Sequence, residues 1–134
     1  MIVSDTNILA YLILESDRTD DAVALRRKDP EWAVPPIWRS EFCNLLATAM
    51  RNSSMDIEDA VLAFNVATRL VGNSEINIAA RRVLELAESS GCTAYDCEFV
   101  SLAERLGVPL ITTDKKVIAA FPDIAVSMEK FLGN

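Results

Sequence analysis

Four acidic side chains occupy positions from which carboxylates could meet in one place: Asp5, Glu41, Asp96 and Asp114. Carboxylates gathered in a partly buried crevice repel one another, so their pKa values should rise unless a cation is present. The chain has no histidine, which excludes Ser-His-Asp and Cys-His catalysis and zinc sites of the Cys/His type. A pocket of carboxylate oxygens suits Mg²⁺ or Mn²⁺, and the chemistry that such a pocket supports best is metal-assisted hydrolysis of a phosphodiester.

Two of these residues, Asp5 and Asp114, each follow a predicted strand. The runs Met1–Asp5 and Val108–Thr113 are typical of short buried strands. In open parallel sheets the ligand crevice lies outside the carboxyl ends of the strands, so both residues stand where a site is expected. If the two strands are neighbours in the sheet, the two carboxylates lie close together.

Helical spacing fills most of the remaining chain. Helices are predicted at 6–15, 20–29, 37–51, 56–71, 78–90, 93–106 and 115–121, with a last helical turn at 128–132 and further short strands at 32–34 and 124–126. Ser53 or Ser54 is the expected cap of the helix at 56–71. Strands separated by helices predict a parallel sheet covered by helices, the α/β class. Glu41 then lies in the first turns of the helix after the second strand, and Asp96 begins the helix that leads into the third.

Each of the four carboxylates also has an ordinary structural interpretation. Asp5 or Thr6 can cap the first helix, and Asp114 can cap the helix that starts at 115. Thr93 with Asp96 resembles a capping box. Glu41 can be a solvated residue of its helix. The functional interpretation is favoured because Glu41 and Asp96 adjoin strongly apolar stretches, whereas the other acidic residues fall on polar faces or in loops.

The bulk composition indicates one domain over residues 1–134. Of the 134 residues 51% are hydrophobic and 25% are charged, which suffices for a core and argues against disorder. The net charge of −7 provides no basic footprint for phosphates and argues against a high-affinity DNA-binding module. It does not exclude an enzyme that binds a phosphodiester through a metal ion, because the metal then supplies the positive charge.

The cysteines and the N-terminal segment both favour the cytoplasm. The three cysteines have no Cys-x-x-Cys spacing, and their odd number argues against a disulfide framework. The apolar run from Ile8 to Leu14 follows Asp5 rather than basic residues and is too short to span a membrane. We therefore expect a cytoplasmic protein without a signal peptide or membrane anchor.

Four sequence segments resemble those of the PIN-domain family, in particular the VapC-type toxins of toxin–antitoxin pairs. They are IVSDTNIL at 2–9, RSEF at 39–42, TAYD at 93–96 and GVPLITTD at 107–114, and their order and spacing agree with the family over nearly the whole chain. The resemblance implies a three-layer α/β/α sandwich around a short, mostly parallel sheet of four to five strands.

The resemblance also implies a function and a set of roles. Similar proteins are Mg²⁺- or Mn²⁺-dependent ribonucleases that usually form homodimers and are inhibited by an antitoxin occupying the acidic groove. Carried over by motif, the acidic active-site residues are Asp5, Glu41, Asp96 and Asp114. Of these, Asp5 and Asp96 are the expected direct metal ligands. Asn7 and Thr113 are expected as supporting polar groups, while Arg39 and Lys115 are the basic residues best placed to contact RNA phosphates.

Other functions remain open on sequence alone. A related domain can act in RNA processing without being a toxin, or can persist as a binding module. A receiver-like Mg²⁺-binding signalling module needs regularly alternating strands and helices, which the long helical stretch at about 37–107 contradicts. A HAD-type phosphatase needs a second Asp two residues after Asp5, where this chain has Asn7.

Overall fold

A parallel sheet forms the centre of the protein, which a computed structural model describes for residues 1–53 and 55–133. Its strands, in chain order, are β1 (Ile2–Ser4), β2 (Trp32–Ala33), β3 (Leu110–Ile111) and β4 (Ala125–Val126). They lie in the spatial order β2-β1-β3-β4, and every pairing is parallel. The sequence predicted four to five strands, and the described residues form four. The pairing of β1 with β3, on which the approach of Asp5 to Asp114 depends, is confirmed.

Helices occupy most of the remaining described residues. They are α1 (Thr6–Ile13), α2 (Thr19–Lys28), α3 (Trp38–Asn52), α4 (Ile57–Val71), α5 (Ala80–Ser90), α6 (Ala94–Leu106), α7 (Lys115–Ala120) and α8 (Met128–Leu132). Each corresponds to a predicted helix within two residues. Four of them, α3 to α6, follow one another between β2 and β3, so the chain lacks the regular alternation of a receiver-like module. None of the helices in the described part of the chain is long and apolar enough to span a bilayer.

The start of α4 corrects one expectation from the sequence. Asp56, rather than a serine, is the N-cap, and its carboxylate accepts a hydrogen bond from the backbone N–H of Asp59 at 2.9 Å. Ser53 instead ends α3. The other serine expected as a cap, Ser54, lies outside the described residues. Asp56 is the cap because its side chain accepts from a backbone N–H of the first turn, which has no partner within the helix.

Alternating side chains of the strands divide the core into two clusters. Ile2 of β1 and Ile111 of β3 pack with α1 to α4 and α8 on one face of the sheet. Val3 and Leu110, their neighbours along the same strands, pack with α5, α6 and α7 on the other face. Successive side chains of a strand point to opposite faces, so the sheet is covered by helices on both sides. The predicted three-layer α/β/α arrangement is confirmed.

Helix α6 ends at Gly107, directly before the short connection to β3. Gly107 has φ +68°, a left-handed conformation that glycine adopts without the penalty of a Cβ atom. The backbone N–H of Val108 then bonds back to the carbonyl of Ala103 at 3.1 Å, which closes the end of the helix. Because this connection is so short, the C-terminal end of α6 is tied to β3.

Candidate active site

The four predicted carboxylates line a single cavity of about 700 Å³ at the carboxyl end of the sheet. Asp5 follows β1 and Asp114 lies three residues beyond β3, whereas Glu41 and Asp96 come from the first turns of α3 and α6. The sequence placed these residues on four separate segments, and the fold brings all four segments to one place. The cavity is therefore the candidate active site.

Asp5 is held by hydrogen bonds from both sides. Its Oδ1 accepts from the backbone N–H of Asn7 at 3.0 Å, which makes Asp5 the N-cap of α1, and its Oδ2 accepts from Thr112 Oγ1 at 2.6 Å. Burial raises the pKa of Asp5, the bonds from Thr112, Asn7 and the backbone of Thr113 oppose that effect, and the charge of Asp114 adds to it. The capping interpretation of Asp5 is thus correct without excluding a second role, because each carboxylate oxygen has two lone pairs.

The side chain of Glu41, on α3, is held by a hydroxyl from α1. Thr6, which is 3% exposed, donates from Oγ1 to Glu41 Oε1 at 2.7 Å and so connects α1 to α3. Burial raises the pKa of Glu41, and the neighbouring charges of Asp5 and Asp96 raise it further. Glu41 is therefore not a freely solvated helix residue, and it is electrostatically coupled to the other acids of the cavity.

Asp96 contributes to the start of α6 through its backbone. Its N–H donates to Thr93 Oγ1 at 3.1 Å, so Thr93 is the N-cap. Within residues 1–53 and 55–133 no hydrogen bond involves the Asp96 carboxylate, so only half of the predicted capping box forms. The carboxylate remains available to the cavity that it lines.

Asp114 caps the short helix α7, as the structural interpretation proposed. Its Oδ1 accepts from the backbone N–H groups of Lys116 at 2.9 Å and Val117 at 3.3 Å. The backbone N–H of Asp114 donates to Thr112 Oγ1 at 3.1 Å. Its other carboxylate oxygen, Oδ2, makes none of the hydrogen bonds found among the described residues, and Asp114 lines the cavity.

The donor set of the cavity fits a hard divalent cation. The lining offers the carboxylate oxygens of four acids, with hydroxyl and amide oxygens beside them, and among the described residues it includes no cysteine. In the described part of the chain no three acidic or cysteine side chains stand close enough to enclose a metal ion by themselves. Mg²⁺ keeps several of its waters and is usually held by one or two carboxylates. Burial disfavours the ionised forms of Asp5 and Glu41 and so raises their pKa values. A bound cation would offset that cost of ionisation.

Two hydroxyl groups in the site were not predicted. The sequence singled out Thr113 as a supporting residue, but the side chain that bonds Asp5 is that of Thr112. Thr6 was considered only as a cap. The repeated threonine before Asp114 and the threonine after Asp5 were the available signals, but choosing between neighbours requires knowing which way each side chain points.

The two basic residues predicted to contact substrate lie outside the cavity lining. Arg39 is exposed, and its Nε donates to Glu75 Oε1 at 2.7 Å. Lys115 is exposed at the start of α7, directly after Asp114. Their role toward a substrate stays a prediction.

Neutral side chains complete the wall of the cavity. Ser40 and Asn44 lie four positions apart on α3 and therefore share one face of that helix, the face that also presents Glu41 to the cavity. Tyr95, directly before Asp96, lines the cavity from α6. The sequence did not predict these residues, although their spacing from Glu41 and Asp96 was a usable signal.

Comparison with known proteins identifies the family. No curated protein gives a significant match. A protein from Pyrobaculum aerophilum has a similar fold, with a TM-score of 0.75, 21% identity, and coverage of 98% of this chain and 85% of that chain. A toxin–antitoxin complex from Klebsiella pneumoniae matches with a TM-score of 0.70, 22% identity, and coverage of 96% and 98%. VapBC2 from Rickettsia felis, bound to a DNA fragment from their promoter, matches with a TM-score of 0.65, 20% identity, and coverage of 95% and 98%.

At these identities the structural matches show the fold alone. The sequence model of the PIN domain matches residues 2–125, which is most of the chain. The resemblance found in the four sequence segments is thereby confirmed. The chain belongs to the PIN domain family, whose members are generally nucleases.

Proposed function

We propose that this protein is a metal-dependent endoribonuclease that hydrolyses RNA phosphodiester bonds, and that it is the toxin of a type II toxin–antitoxin pair. The observation that carries the proposal is the meeting of four carboxylates from four separate segments in one cavity. The raised pKa values of Asp5 and Glu41 accompany that arrangement and are typical of functional sites.

The proposed roles of the four carboxylates are those that the resemblance to the PIN-domain family implies. Asp5 and Asp96 are the direct ligands of Mg²⁺ or Mn²⁺, and Glu41 and Asp114 act through water. When bound, the cation would activate a water and neutralise charge on the phosphoryl group. Thr112 and Asn7 keep the Asp5 carboxylate in place. Thr6 donates to Glu41 Oε1 and not to Oε2, so we assign Oε2, the oxygen with more free lone pairs, as the one that accepts the proton of the attacking water.

Two protein partners belong to the proposal. An antitoxin is supported by the fold shared with structures from Klebsiella pneumoniae and Rickettsia felis that contain toxin–antitoxin pairs. A homodimer is supported by α4, which exposes large apolar side chains, Ile57 at 57% and Leu62 at 58%. The three free cysteines fit a reducing compartment such as the cytoplasm.

The decisive experiment combines cleavage, Mn²⁺ binding and melting of the purified protein. Wild type should bind Mn²⁺ and cleave RNA, and Asp96→Asn should abolish cleavage while the melting temperature changes little. An acid in the first turn of a helix stabilises an exposed helix start by only about 0.3–1 kcal/mol. Asp20→Asn, an exposed acid in the first turn of α2, is the matched control and should retain activity. A wild type that binds no Mn²⁺, together with a lower melting temperature of Asp96→Asn, would show that Asp96 serves only the helix.

Expression in a host cell separates a toxin from an RNA-processing nuclease. Induction of the wild type without an antitoxin should arrest growth, and Asp96→Asn should not. Normal growth with a wild type that is active in solution would favour the processing enzyme.

A further inference from the structure

Tyr95 presents an aromatic ring at the mouth of the acidic cavity. Its side chain is 60% exposed although it is among the largest apolar groups on the surface, and it lies in the first turn of α6, next to Asp96. The aromatic and cation–π contacts found among the described residues do not include it. Neither hydrophobic core cluster of the described residues includes Tyr95, so its ring is not part of the core.

The charge of the cavity favours an uncharged contact with substrate. Its lining includes four acids and, within the described residues, no lysine or arginine. An RNA phosphate entering beside Asp96 is repelled by every charge of this lining, so inside the cavity only a bound cation would attract it. Base stacking adds binding energy without charge, because every base has a π face that an aromatic side chain can cover.

The opposite wall offers groups that complement a stacked base. Ser40 and Asn44 face the cavity from α3, while Tyr95 and Asp96 face it from α6. Ser40 and Asn44 are both exposed and neutral, and an amide and a hydroxyl can each donate to or accept from a base edge. A nucleotide whose phosphate lies at the acids thus meets a ring on one side and hydrogen-bonding groups on the other.

We infer that Tyr95 is a substrate-binding residue whose ring stacks on the base of the nucleotide next to the scissile phosphate. Ser40 and Asn44 bind the edge of the same nucleotide from α3. This inference rests on the proposed nuclease function and adds a requirement to it. The nucleotide at the cut must present an unpaired base, because a base inside a duplex cannot leave its stack without a cost of a few kcal/mol.

Steady-state kinetics on a single-stranded RNA in Mn²⁺ test the inference. Tyr95→Leu keeps an apolar side chain but removes the flat face, and KM should rise roughly fivefold to a hundredfold, the range that loss of one stacked base implies. The value of kcat should stay within about twofold, because stacking acts equally on the bound substrate and the transition state. Tyr95→Phe keeps the ring and should retain the wild-type KM.

A control and a binding measurement complete the design. Leu84→Ala, on α5, removes a side chain of similar exposure, 63%, that does not line the cavity, and it should leave KM unchanged. An RNA carrying 2-aminopurine beside the cut site should change its fluorescence on binding to wild type and Tyr95→Phe but not to Tyr95→Leu.

The outcomes separate this inference from the proposed function. A wild type that cleaves no RNA overturns the nuclease proposal and the inference with it. An active wild type for which Tyr95→Leu leaves KM and the 2-aminopurine signal unchanged overturns the inference alone. So does equal KM for a single strand and for the duplex of the same sequence.

Discussion

The Thr112 hydroxyl joins Asp5 to Asp114. Thr112 Oγ1 donates to Asp5 Oδ2 at 2.6 Å and accepts from the backbone N–H of Asp114 at 3.1 Å. A single buried hydroxyl therefore fixes the relative position of two acids that come from two neighbouring strands. Because a hydrogen bond to the ionised form lowers a carboxyl pKa, Thr112 also limits how far burial raises that of Asp5.

Replacing Thr112 with valine should shift the pH dependence of cleavage. Thr112→Val removes the donor to Asp5 while keeping the shape of the side chain, so the pKa of Asp5 rises further. The acidic limb of the pH–rate profile should move upward by about one pH unit, the equivalent of a net hydrogen bond to a charged group. Thr112→Ser retains the hydroxyl and should keep the wild-type limb. An unmoved acidic limb in Thr112→Val would show that ionised Asp5 is not required for activity.

The raised carboxyl pKa of Asp5 should lower stability at neutral pH when divalent cations are absent. A folded pKa above the unfolded value means that the folded state binds more protons, so stability falls as pH rises from about 3.9 through the raised value. Asp5→Asn keeps an N-cap for α1 and removes the charge. In chelator at about pH 7 it should melt a few degrees above wild type, and the gain should vanish below about pH 4.

Addition of Mg²⁺ gives the complementary measurement. Binding to the folded state alone raises the melting temperature of wild type, and Asp5→Asn should lose this response. A variant that melts lower than wild type by the same amount at both pH values would show that Asp5 acts only as a cap.

Glu75 should anchor the start of α3. Its Oε1 accepts from the indole Nε1 of buried Trp38 at 2.6 Å and from Arg39 Nε at 2.7 Å. Glu75→Leu leaves the buried indole N–H without its acceptor and should cost about 1–3 kcal/mol in the free energy of unfolding, measured in urea. Arg39→Gln removes the exposed ion pair and the cation–π contact of Arg39 with the Trp38 ring at 5.4 Å, but it leaves the indole N–H its acceptor and should cost no more than about 1 kcal/mol. Equal losses from the two changes would contradict the anchoring role of Glu75.

The same Arg39→Gln protein tests the predicted contact with RNA. If Arg39 binds phosphate, the variant should have a higher KM and a weaker dependence of binding on salt concentration. A wild-type KM would assign Arg39 to the structure of α3 alone.

Gly107 should be required for stability rather than for chemistry. Its φ is +68°, and the position that a Cβ atom would take has no other atom within 4 Å, so the cost of Gly107→Ala is backbone strain alone, about 1 kcal/mol. Gly107→Asn should cost less, since asparagine tolerates the left-handed region better. Activity per folded molecule should be unchanged in both variants, and a loss of kcat would instead mean that the turn controls the position of Asp96.

The sequence predicted the elements and the acids because both depend on local information. Strand runs, helical spacing and the placement of Asp5 and Asp114 after strands are visible in a few consecutive residues. The two interpretations of these acids, cap and site, were set against each other, whereas the structure shows that one carboxylate can cap a helix and line the cavity. The cap of α4 was misplaced because several polar residues precede that helix.

Contacts between distant segments could not be predicted in the same way. Thr6 meets Glu41 across 35 positions and Arg39 meets Glu75 across 36 positions. Neither pair has a periodic signature, and each depends on how α3 packs against α1 and against the segment after α4. Whether the side chain of Thr112 or that of Thr113 reaches Asp5 depends on the direction of the chain after β3.

The pairing of β1 with β3 has a consequence for synthesis of the chain on the ribosome. Asp5 emerges early, but Thr112, which bonds it, follows 107 positions later. At ordinary translation rates that interval lasts about 5 to 20 s, during which the central strand lacks one neighbour and the cavity lacks one wall. The cavity is therefore incomplete until Thr112 has been made, and any ligand that recognises the finished cavity has no binding site before that moment.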